Sequence, residues 1–268
     1  MKSMNEGLFR IKSAALSTLM IPVLLVLIVG CAPATPAPTA TPSPTPAPVI
    51  LQYIGISCTL LTAPDGTRIV SDPYAASPRP TGLGPLPSDL EADVVTVSHS
   101  HFDHSNVEGV GGEPQIIQDP GSYQAGMVEI TGYESGEGSP SGPTGHNTVF
   151  VFEIGEVKIV HMGDGGVITS PDLLAAIENA DVIIVNVDGY VLPFDQFMVQ
   201  MQQINARTII PSHYSISEDA RFNIWATVDE FLETVPSDVV VVREGSEIQV
   251  TPGMPEQVAV LTSLTLVE

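Results

Sequence analysis

The sequence predicts a layered α/β sandwich, with helices covering paired sheets. Two observations predict it. In the first half, from Val49, short runs rich in Val, Ile, Thr and Tyr are punctuated by Gly, Pro and Asp, which is the pattern of successive strands. In the second half, fully apolar strand-like runs alternate with segments of helical period, and buried strands with interspersed helices require a layered packing.

In chain order, MKSMNEGLFRIKSAALSTLMIPVLLVLIVGC comes first: Arg10 and Lys12 precede an uncharged stretch from Ser13 to Gly30. This is the layout of a secretory signal. Its end, Ile28-Val29-Gly30-Cys31, resembles the lipobox of bacterial lipoproteins, which implies cleavage after residue 30, lipidation of Cys31 and an extracytoplasmic, membrane-anchored chain. The stretch is also long enough for an uncleaved membrane helix, but a small Gly30 directly before Cys31 suits processing. Residues 31–48 follow as lipidated cysteine and tether, because Ala, Pro, Thr and Ser alone offer no apolar bulk to offset ordering entropy. With Cys31 lipidated, Cys58 in YIGISCTLL has no disulfide partner and reads as a small core residue.

The folded domain is expected over residues 49–268. Strand runs are VILQYIGISCTLLT, TRIVSDPY, DVVTVSHS, PQIIQD and MVEITGY. NTVFVFEIG and EVKIVHMGD then meet at Gly155-Glu156 as a hairpin. Ser170-Pro171-Asp172 starts a helix with proline at its first position, and DVIIVNVD is a buried strand. Phe194, Phe197, Met198, Met201 and Ile204 share one helical face before the strand RTIIPSHY. A last helix near FNIWATVDEFLETV precedes VVVVRE and EIQVTP.

Formal charge is −22, and the first 48 residues carry three basic and one acidic side chain, leaving the rest at about −24. Nucleic acid is excluded as a face-on partner, since phosphate neutralisation needs clustered Lys and Arg. The chemistry gathers in SHSHFDHS, where His99, His101, Asp103 and His104 occupy six positions after an apolar run. If that run is a strand, His99 and His101 point the same way at its end, and Asp103 and His104 lie in the next turn. Imidazoles and carboxylates at such density are ligands of borderline metals such as zinc.

The HxHxDH arrangement resembles the signature of the metallo-β-lactamase superfamily. The surrounding YIGISCTLL, PDGTRIVSDPY, NTVFVFEIGEVKIVHMGD and IIPSHY resemble its ascorbate-6-phosphate lactonase-like branch. The resemblance implies an αββα four-layer sandwich with two divalent metal ions, zinc first and manganese or iron as alternatives. It implies that His99 and His101 bind the first ion, Asp103 and His104 the second, that Asp164 bridges both, and that His213 completes the second. Asp103 and Asp164 are the residues it assigns to catalysis. The family usually places a histidine after a strand like EITGY, where this chain has Tyr133-Glu134-Ser135. Glu134 suits that position, and His146 further along the loop suits the ligand type; His146 is preferred. His161 reads as a support for the site rather than a ligand, and Asp72 as an orienting group or a turn residue. The family's HLGDLGH ending is replaced by Gly165-Gly166-Val167 without the last histidine.

The function expected is a metal-dependent hydrolase that uses activated water on a small ester, lactone or phosphoester. The competing expectation is a non-catalytic metal-binding surface lipoprotein, motivated by the altered Glu134 position.

Overall fold

The computed structural model describes residues 47–75, 84–138, 145–216 and 225–265. The expected signal, Cys31 and most of the tether lie outside the described residues, as do parts of the loops near residues 80 and 140. Among the described residues, no helix is long and apolar enough to cross a membrane.

The strands in chain order are β1 (Val49–Gly55), β2 (Cys58–Thr62), β3 (Arg68–Ser71), β4 (Val94–Thr96), β5 (Gln115–Ile117), β6 (Gly121–Ala125) and β7 (Val128–Glu137). They continue with β8 (Gly145–Ile154), β9 (Val157–His161), β10 (Val182–Asn186), β11 (Thr208–Ser212), β12 (Val240–Glu244), β13 (Glu247–Val250) and β14 (Gln257–Leu261). The α-helices are α1 (Pro171–Ile177), α2 (Phe194–Ile204) and α3 (Val228–Leu232). One sheet has the order β13-β1-β2-β3-β4-β5, the other β12-β14-β11-β10-β9-β8-β7-β6.

The single run VILQYIGISCTLLT folds back on itself: β1 and β2 pair antiparallel around Ile56-Ser57, with Ile56 at φ 53°. The hairpin expected at Gly155-Glu156 forms, with Ile154 opposite Val157 and Gly155 at φ 62°. A left-handed residue costs glycine nothing, which is why the turn falls there. Helix α1 begins as its sequence dictates: the Ser170 hydroxyl accepts from Leu173 N–H, with Pro171 at the first helical position. Helix α3 starts at Thr227 through a reciprocal capping box with Glu230.

Period-two alternation sorts the first sheet. Leu61, Ile69 and Val94 face the core between the sheets, while their neighbours Leu60, Val70 and Val95 face outward. The main core joins those inward residues to Phe150, Phe152 and Val160 of the second sheet and to Leu173, Phe197 and Phe231 of the helices. On the outer face of the first sheet the described cover is thin: Leu86, Leu90 and the short 3-10 turn Val107–Gly109 close over Cys58, Val95 and Val97. Cys58 is buried and free, and burial pushes its thiol well up, so it is a core residue without nucleophilic character. The architecture is the mixed α/β sandwich with two sheets.

Candidate metal centre

The site lies where neighbouring strands end. Asp72 follows β3, His99 to His104 follow β4, Asp164 follows β9, Asn186 ends β10 with Asp188 just beyond it, and His213 follows β11. Parallel strands deliver side chains to the edge at their carboxyl ends, so residues far apart in sequence meet there.

The histidine cluster does not arise from strand alternation. Strand β4 stops at Thr96, and His99 and His101 project from the turn that follows. Asp72 shapes that turn. Its Oδ1 accepts from Ser98 N–H at 2.7 Å and its Oδ2 from the Ser98 hydroxyl at 2.6 Å, while His104 Nδ1 lies 2.8 Å from Oδ2. His104 N–H donates to the His101 carbonyl at 3.0 Å and closes the turn. Asp72 and His213 both sit at positive φ, 47° and 57°. For non-glycine residues this conformation is strained and is kept only where the surroundings fix it. Here Asp72 N–H donates to Thr96 O at 2.9 Å and His213 N–H to Ile56 O at 2.8 Å.

Among the described residues, two groups of metal-ligating atoms result. His99, His101, Glu137 and Asp164 form one, and Asp103, His104 and His213 the other. Asp164 lies between them: Oδ2 is 3.7 Å from His99 Nε2, and Oδ1 is 3.5 Å from His104 Nε2 and 3.7 Å from His213 Nε2. His213 Nε2 is also 3.5 Å from Asp103 Oδ2.

The donor set fits metal ions. The buried Nε2 atoms of His99, His104 and His213 have no hydrogen-bond partner, which would cost about 1–3 kcal/mol each if nothing else met them. Their gaps to carboxylate oxygens are too long for hydrogen bonds. Two ligands on one tetrahedral ion, each about 2.1 Å from it, are about 3.4 Å apart, close to the 3.5–3.7 Å found.

Electrostatics prepare the ligands. Burial would raise the carboxyls of Asp103 and Asp164, but the neighbouring histidines His213 and His104 hold both below the ordinary range. Burial and the adjacent His104 push His99 down to about 4, so its imidazole is neutral. Burial opposes charge on His213 and His104 too, yet the carboxylates around them raise both, Asp164 foremost.

The structure also brings in residues whose role the sequence did not announce. Asn186 Nδ2 donates to Asp164 Oδ1 at 2.8 Å, and Asn147 Oδ1 accepts from Asp164 N–H at 3.0 Å. Asp188 Oδ2 stands 3.5 Å from His213 Nδ1. In DVIIVNVD the alternating polar residues Asn186 and Asp188 in an apolar strand were the available signal. Glu137 had none, being one acid in a Gly- and Ser-rich stretch.

His146 and Glu134 are placed elsewhere. In the β7–β8 pairing His146 is opposite Gly136 and shares a face with Glu134, 3.9 Å away, and neither joins the two groups. His146, the preferred candidate from sequence, is thus not the residue beside His101; Glu137, on the alternate face of β7, is, at 3.7 Å. His161 Nε2 lies 2.8 Å from Ser57 O, and its Nδ1 accepts from Gly163 N–H and faces Asp72 at 3.9 Å. It supports the turn and joins neither group. A cavity of about 370 Å³ opens over His99 and His101, bounded also by Gln118, Asp119, Glu137 and His146.

Residues 50–213 match the model of the Beta-lactamase superfamily domain. A UPF0173 metal-dependent hydrolase of Methanoregula boonei is 28% identical over 196 residues, covering 63% of this chain and 83% of the relative. Another, of Cupriavidus taiwanensis, is 26% identical over 259 residues, covering 77% and 88%. A solved structure from Thermotoga maritima, described as a candidate zinc-dependent hydrolase of the metallo-β-lactamase superfamily, superposes with a TM-score of 0.62 at 30% identity, covering 80% of this chain and 98% of its own. The fold, the convergent ligand set and these likenesses agree: the chain belongs to the metallo-β-lactamase superfamily and is a metal-dependent hydrolase of that fold.

Proposed function

We propose that the chain is a lipid-anchored extracytoplasmic hydrolase with a dinuclear centre, acting on a small ester, lactone or phosphoester. The observation that carries the dinuclear reading is the position of Asp164 between two ligand groups, with three partnerless buried imidazole nitrogens turned towards carboxylates. His99, His101 and Asp164 would hold the first ion, and Asp103, His104, Asp164 and His213 the second. When bound, the ions supply Lewis acidity and lower the pKa of water at the site.

The chain's own residues do the rest. Asn186 and Asn147 fix the Asp164 carboxylate and backbone, so its oxygens stay directed at both groups. Asp103 and Asp164, both held ionised by the histidines around them, are the carboxylates that would orient the attacking water. The cavity over His99 and His101 has the volume of a small-molecule site. Zinc suits the imidazoles, and manganese or iron the carboxylates. The anchor rests on Cys31 and the uncharged segment before it.

The test is metal content and hydrolysis of ester, lactone and phosphoester panels by the full chain, beside Asp164→Asn. Two ions and turnover in the parent, both lost in the variant, are expected. A variant that keeps both ions would refute the bridging role.

A further inference from the structure

We infer that Glu137 joins His99, His101 and Asp164 as the fourth protein ligand of the first metal position, giving that position two imidazoles and two carboxylates. This rests on the dinuclear reading above. Glu137 Oε1 stands 3.7 Å from His101 Nδ1, the same spacing that separates His99 from Asp164. All four residues present ligand atoms within 4.8 Å of one another.

The backbone is built to hold it there. Glu137 forms a bridge with Gly165, Gly138 N–H donates to Asp164 O at 2.9 Å, and Gly166 N–H to Gly136 O at 3.1 Å. The segment carrying Glu137 is thus tied directly to the one carrying Asp164. Such close approach needs glycine on both sides: a Cβ at Gly138 would collide with Gly166 Cα and the Val191 carbonyl, and one at Gly166 with Gly138 Cα. Across the hairpin Gly145 is opposite Glu137, and a Cβ there would collide with Glu137 Oε2. The missing side chain leaves the carboxylate its place.

Strand alternation sets the two other candidates apart from Glu137. Glu134 lies on the opposite face of β7, and His146 shares that face. Replacing an imidazole by a carboxylate makes a position more receptive to manganese or iron(II) relative to zinc.

The test is equilibrium dialysis of the full chain against Mn2+, Zn2+ or both, with elemental analysis, for the parent and Glu137→Gln, Glu137→His, Gly145→Ala, Glu134→Gln and His146→Ala. The parent is expected to take up two ions, Glu137→Gln one, and Glu134→Gln and His146→Ala two. Gly145→Ala should weaken one ion about 10- to 100-fold, and Glu137→His should hold two and raise the zinc-to-manganese ratio about tenfold or more. Two ions retained by Glu137→Gln, or one lost by Glu134→Gln or His146→Ala, overturns this inference and leaves the dinuclear reading standing. A parent that takes up fewer than two ions overturns that reading and this inference with it.

Discussion

Replacing Asp72 by Asn tests how the site is prepared before any ion arrives. Asp72 is fully buried, accepts two hydrogen bonds from Ser98, and lies 2.8 Å from His104 Nδ1. Burial raises its carboxyl, but His104, His161 and Ser98 outweigh that and hold it at about 2 against an ordinary 3.8. The difference corresponds to about 2.5 kcal/mol favouring the folded, ionised state. Because the folded value is depressed, this contribution is present above pH ~4 and is lost as pH falls towards about 2. Asn keeps the size and tolerates the positive φ, so the variant removes charge without adding backbone strain. It also leaves one acceptor oxygen where there were two, so Ser98 N–H and His104 Nδ1 can no longer both be met, and the hold that keeps the His104 Nε2 lone pair free is weakened. Urea denaturation of metal-free protein at pH 7 should show a loss of about 2–3 kcal/mol. Chelator competition should show one ion bound about 10- to 100-fold more weakly. A variant with parental stability at pH 7 and parental metal affinity would refute the reasoning.

Two further predictions concern the centre and the core. Burial opposes charge on His213, but Asp164, Asp103 and Asp188 raise it well above its ordinary value, so the metal-free chain carries that proton at pH 7. Metal uptake must displace it, and calorimetry in buffers of different ionisation enthalpy should detect release of about one proton or more per chain; no buffer dependence would contradict this. Phe231 is fully buried, with its ring centroid 5.0 Å from that of Phe197 in an edge-on contact. Phe231→Ala should destabilise by about 3–5 kcal/mol, read by urea denaturation, and a loss under about 1 kcal/mol would show that α3 is not anchored there.

Much of the fold was legible because apolar period is a local property. The hairpin at Gly155-Glu156, the start of α1 at Ser170-Pro171 and the helical face of α2 follow from residues within a few positions of one another. The return between β1 and β2 was not, because it puts Ile56, a buried β-branched residue, at a left-handed φ of 53° that its type disfavours. Strand β6, running from Gly121 to Ala125, lacks a β-branched run and exists because it pairs with β7.

The sequence by itself determined that His99, His101, Asp103 and His104 act together, since contiguity forces them into one turn. It also placed Asp164 and His213 after strands that had to end near them. Tertiary structure alone decided which acid stands beside His101. Along the chain Glu134 and His146 were the candidates and Glu137 was not, and only the β7–β8 register, with glycine at 138, 145 and 166, puts Glu137 beside His101 and the other two on the opposite face of the strand pair. Register is a long-range property, fixed by which faces are buried and by how closely two backbones can approach.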